Sequence, residues 1–128
     1  MASENQNEPL HRGTTAQILV VVDFPPLARL VTQHLLDCGY FIATATNGRE
    51  GLAQYRSNPY DLVITDNLMP EMTGPQMAAG IKELDPYMPI ILLTGTLETL
   101  PPGVDYLVRK PVAMQKLSET VKTALRSL

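Results

Sequence analysis

Cysteine occurs once in the 128-residue chain, as Cys38, so no disulfide can form within it. That single thiol and two histidines, His11 and His34, make no spacing that suggests a zinc site. Basic residues are also in short supply. Ten Lys and Arg stand against 13 Asp and Glu, a formal net charge of −3, which removes the electrostatic footprint of a protein that binds nucleic acid or an anionic membrane. Long apolar runs are missing too: residues 18–22 fall far short of the ~20 needed to cross a bilayer. The opening residues include acids where a secretory signal would place bases, and no targeting segment is visible. A reduced, cytoplasmic setting is expected. Neither a GxxxxGK phosphate loop nor a GxSxG nucleophile turn occurs, so nucleotide hydrolysis and esterase chemistry lack their motifs.

What is present is the composition of a folded domain, 45% hydrophobic and 18% charged. Residues 1–16 are polar and show neither hydrophobic period, so they are expected to form a disordered tail, with residues 17–128 as one domain. Short apolar runs at 18–22, 41–44, 62–65, 90–93 and 106–109 predict five strands, and stretches of helical period lie between them. The first helix carries Leu27, Leu30, Val31, Leu35 and Cys38 on one face, with proline at its start and Gly39 at its stop. A second turns Leu52 and Tyr55 inward and ends before Pro59. A third, capped by Thr73 or Gly74, presents Met77, Ala78, Ile81 and Leu84, and the last presents Leu117, Val121, Ala124, Leu125 and Leu128. Strand–helix alternation of this kind argues for a parallel sheet with helices on both faces. Only fifteen residues separate Thr94 from Lys110, with Pro101, Pro102 and Gly103 among them, so the fourth crossover helix is expected to be short or absent.

Open parallel sheets bind ligands outside the carboxyl ends of their strands. At those ends stand Asp23, Asp66, Thr94 and Lys110. Two carboxylates suit a hard divalent cation, an ammonium neutralises a phosphoryl oxygen, and a hydroxyl can donate to one. A carboxylate can also be the nucleophile that forms an acyl phosphate. Asp23 has a second reading as the cap of the helix that follows it.

The stretches ILVVVDFPPLAR, ATNGREGL, YDLVITDNLMPEMTG, PIILLTG and YLVRKP, in that order, resemble the receiver domain of bacterial two-component response regulators, chemotaxis receivers included. The resemblance implies a flavodoxin-like, doubly wound, five-stranded parallel sheet of order 2-1-3-4-5. By it Asp66 is the phosphoacceptor, and Asp23, Asp66 and the backbone carbonyl of Leu68 hold Mg2+. Thr94 is the hydroxyl that follows the phosphoryl group, and Lys110 pairs with that group and precedes a cis peptide to Pro111. The implied phosphodonor is a phosphohistidine on a histidine kinase or phosphotransfer protein, and His11 and His34 are not candidates for it. A homodimer or an effector protein would receive the output, with no direct contact to nucleic acid or membrane.

Two positions depart from the family. The first of its two adjacent acids after strand one is Val22 here, and a charge about 5 Å from the cation is worth on the order of 3 kcal/mol, so weaker Mg2+ binding is expected. The aromatic residue three places before the lysine is Leu107, with Tyr106 one position early and on the opposite strand face. These departures favour an alternative, a pseudo-receiver that acts as an interaction or dimerisation module without phosphorylation. A phosphohydrolase with an aspartyl nucleophile would need an acid two residues after Asp66, where Leu68 stands. No enzymatic turnover on a free substrate is expected. Around the site, Asn67, Glu71 and Arg109 are read as solvated side chains, Met69, Met72 and Met77 as packing residues, and Cys38 as a small buried one.

Overall fold

A computed structural model of the protein describes residues 16–96 and 99–126. The apolar runs form β1 (Gln17–Val21), β2 (Phe41–Ala45), β3 (Leu62–Asp66), β4 (Ile90–Thr94) and β5 (Tyr106–Arg109). All pairings are parallel, in the order β2-β1-β3-β4-β5 that the resemblance implies. The helices are α1 (Pro25–Asp37), α2 (Gly48–Ser57), α3 (Gly74–Leu84) and α4 (Met114–Arg126). Every residue of β3 and β4 is buried, as expected of strands covered on both faces.

The two-residue period of the strands divides the core in two. Ile18, Val20, Leu62, Ile64, Ile91, Leu93 and Val108 pack on Val31, Leu35, Leu117 and Val121 of α1 and α4. Leu19, Val21, Val63, Ile90 and Leu92 pack on Leu52, Met77, Ala78 and Ile81 of α2 and α3. Tyr106 joins the first cluster and Leu107 the second, the opposite faces that alternation requires.

Local chemistry sets the helix ends. Prolines start α1, and its N-cap is Phe24 with no side-chain cap, so Asp23 does not cap this helix. Gly39, at φ 98°, takes the chain out of α1 through a conformation that a side chain would strain. Asn47 caps α2 through Glu50 N, and Glu50 returns its carboxylate to Thr46. Thr73 and Gln76 close a reciprocal capping box at the start of α3.

Among the described residues, none between Thr94 and Tyr106 is helical. The crossover is a turn held by Val104 N to Pro101 O, with Val104 buried where a helix face would have packed. Asp105 fastens it by accepting from Lys82 Nζ at 2.8 Å and from Ile90 N at 2.9 Å.

Some expectations need correction. Ala16, assigned to the tail, is buried, and its carbonyl accepts from Phe41 N. Residues 1–15 and Leu128 lie outside the described residues. β1 ends at Val21 rather than Val22. Leu30 and Leu84, placed on inward stripes, are exposed: Leu30 sits at the margin of its stripe, and Leu84 is the last residue of α3. Cys38 is half-buried, and its Sγ lies 4.0 Å from Nε2 of His34 one turn earlier, a pairing the sequence reading passed over. No helix among the described residues is long and apolar enough to cross a membrane.

Candidate functional site

Four strand ends converge at the carboxyl edge of the sheet. Asp66 is the last residue of β3, in register with Leu93 of β4, and is only 1% exposed. The backbone of the next residue is pinned from both sides: Asn67 N donates to Leu93 O, and Gly74 N donates to Asn67 O at 2.8 Å. Gly74 makes that return possible, since any Cβ there would overlap the carbonyl oxygen of Asp66. The start of α3 is thus pressed directly against the end of β3.

Lys110 reaches the same point from β5. Its backbone N–H donates to Thr94 O at 2.9 Å, its peptide to Pro111 is cis, and its Nζ lies 2.7 Å from Asp66 Oδ1. Both carboxylate oxygens of Asp66 are buried. Asp23 stands exposed beyond β1 and acts on the same carboxyl. Burial pushes the Asp66 carboxyl above its ordinary range, and this outweighs the Lys110 ammonium, which pulls it down by hydrogen bond and by charge. The Asp23 carboxyl pushes it further up, while the Asp23 backbone N–H draws it down.

An ionised Asp66 is therefore short of positive charge despite Lys110. A buried carboxylate oxygen with open acceptor capacity, beside a second carboxylate, is what a hard cation fits. Leu68 follows in the loop with its side chain 71% exposed. Among the described residues no group of three or more His, Cys, Asp or Glu side chains is placed so that it could hold a metal ion. Val22 is buried in the cluster under α1 and α4.

Thr94 ends β4 at 2% exposure. Its hydroxyl accepts from Asn67 Nδ2 at 3.4 Å and from Thr96 N at 3.3 Å. Asn67 is thus not the solvated side chain expected from the sequence, but a half-buried one turned onto Thr94. The signal that could have found it is its place between Asp66 and the returning loop. The other bland readings match the structure. Met69 and Met77 are buried and Met72 partly so; Arg109 is exposed; Glu71 is exposed in an ion pair with Arg49.

A family model described as response regulator receiver domain matches residues 18–122. The chain belongs to the response regulator receiver family. Among the relatives of this receiver domain is the transcriptional regulatory protein GlrR of Escherichia coli strain K12, 36% identical over 116 residues. That match covers 86% of this chain and 26% of GlrR, so the chain spans about a quarter of that relative's length. The receiver domain protein from Clostridium thermocellum superposes with a TM-score of 0.82 at 32% identity, covering 88% of this chain and 95% of that one. The response regulator TrrA of Thermotoga maritima, solved in complex with Mg(2+)-BeF, gives 0.80 at 37% identity, covering 86% and 99%. A receiver is a signalling domain of two-component systems, and the strand ends described above are this receiver's carboxyl-edge site.

Proposed function

We propose that this receiver accepts a phosphoryl group on Asp66 from the phosphohistidine of a histidine kinase or phosphotransfer protein, in the presence of Mg2+. The observation that carries the reading is the Asp66 carboxylate itself. It is buried, paired with Lys110 Nζ at 2.7 Å and opposed by the Asp23 carboxyl. In the reaction an Asp66 carboxylate oxygen attacks phosphorus, the P–N bond to the donor imidazole breaks, and that imidazole nitrogen takes a proton from solvent. Lys110 neutralises a phosphoryl oxygen, and Thr94 donates its hydroxyl to another. Bound between Asp23, Asp66 and the Leu68 carbonyl, Mg2+ would supply the positive charge that the phosphoryl oxygens and the two carboxylates together demand.

Residues 17–128 would act as one receiver unit in the cytoplasm, with a second copy or an effector protein reading its phosphorylated state. A partner can do so only by binding the two states with different affinity. The test is incubation with phosphoramidate and Mg2+, read by intact mass with Asp66→Asn as control. One phosphoryl mass gained by the wild type and absent in the variant is expected. No gain under any donor would overturn the reading and leave a phosphorylation-independent interaction module.

A further inference from the structure

Thr94 presents an accounting problem that its own role does not solve. A threonine hydroxyl has one proton to give and two sites at which to accept. At 2% exposure it cannot satisfy them freely with water. In this protein both acceptor sites are engaged by N–H donors, the Asn67 amide at 3.4 Å and the Thr96 backbone at 3.3 Å. Both contacts are long, so they orient the hydroxyl rather than clamp it. Their joint effect is to leave the proton as the only part of the group still available.

We propose that Asn67 is a positioning residue: with Thr96 N–H it occupies the acceptor side of the Thr94 hydroxyl and so keeps that hydroxyl's proton for an anionic oxygen on Asp66. The proposal rests on the phosphoacceptor reading of Asp66. Asn67 is suited to it because it directly follows Asp66, and its backbone is held by bonds to Leu93 and Gly74. Its amide is thereby brought to a residue 27 positions away. A hydroxyl already set to donate forms a charge-assisted bond with a phosphoryl oxygen without first turning around. An acceptor in place of the amide nitrogen would instead capture the Thr94 proton.

Removing the amide in Asn67→Ala should slow phosphorylation of Asp66 by phosphoramidate about five-fold, the scale of one net hydrogen bond. The loss should fall on the maximal rate and leave the half-saturating donor concentration unchanged, because Asn67 acts through Thr94 and not on the donor. In a Thr94→Val background the same substitution should have no further effect. A thermal-unfolding double-mutant cycle on these two substitutions reads the contact without any phosphoryl group and should be non-additive. A wild type that gains mass while Asn67→Ala matches it in rate would overturn this proposal alone. So would equal slowing with and without the Thr94 hydroxyl, or an additive unfolding cycle. A wild type that never gains mass at Asp66 would overturn the phosphoacceptor reading and this proposal together.

Discussion

Replacing Val22 with aspartate should change stability and cation affinity in opposite directions. Val22 is 1% exposed and packs with Ile18, Val20 and Val31 in the core beneath α1 and α4. Losing that burial costs about 1.5–3 kcal/mol, and a new carboxylate beside Asp23 and Asp66 adds like-charge repulsion. Without divalent cation, Val22→Asp should therefore unfold at lower temperature, by the equivalent of about 3 kcal/mol at neutral pH. On the cation side the same carboxylate, about 5 Å away at an effective dielectric near 20, contributes on the order of 3 kcal/mol per unit charge. An intervening water reduces that to about half, so Mg2+ affinity should rise roughly 10- to 100-fold. Titration calorimetry gives the affinity, and unfolding with and without saturating Mg2+ gives the stability, which the cation should largely restore through its tighter binding. Val22→Asn separates the two effects, since it loses the same packing and adds no charge. An affinity unchanged within two-fold, or equal in the aspartate and asparagine variants, would refute the electrostatic reasoning.

The remaining predictions concern the scaffold. Gly74→Ala forces a methyl into the carbonyl of Asp66 and the side chain of Leu92, and should cost about 3 kcal/mol in urea unfolding; a loss under 1 kcal/mol would show that the α3 start can back away. Glu71 holds φ at 71°, while its ion pair with Arg49 is solvent-exposed and adds little. Glu71→Asn should therefore stabilise by about 0.5–1 kcal/mol, and a net loss would mean that the ion pair outweighs the backbone strain. Burial, followed by the charge and hydrogen bond of Asp85, pushes the Tyr55 phenol from 10.0 up to about 12. Because the folded value lies above the unfolded one, Tyr55 supports the fold fully below pH 10, and that support is lost as pH rises towards 12. Ultraviolet titration should show a late phenolate step that disappears in Tyr55→Phe; an unchanged profile would contradict the assignment.

Much of the architecture was legible from local pattern. Among the described residues, the five strands, the four helices and the crossover without a helix follow from side-chain period, capping residues and the proline–glycine run near Pro101, and each of these acts within a few residues of chain. The meeting of Asp23, Asp66 and Lys110 was legible for the same reason, because a parallel sheet delivers every strand terminus to one edge. What a helix stripe could not reveal was its width. Leu30 and Leu84 carry the right period but are exposed, since burial depends on what packs alongside. Nor could local pattern reveal how Asp66 is held. The upward pressure on its carboxyl is a balance of burial with Lys110 and Asp23, groups brought in from other strands. Asn67 looked like a loop residue until β4 brought Thr94 against it. Periodicity and caps are short-range properties that the chain determines by itself, whereas charge balance and hydrogen-bond partnership depend on distances between residues far apart in sequence, which only tertiary packing decides.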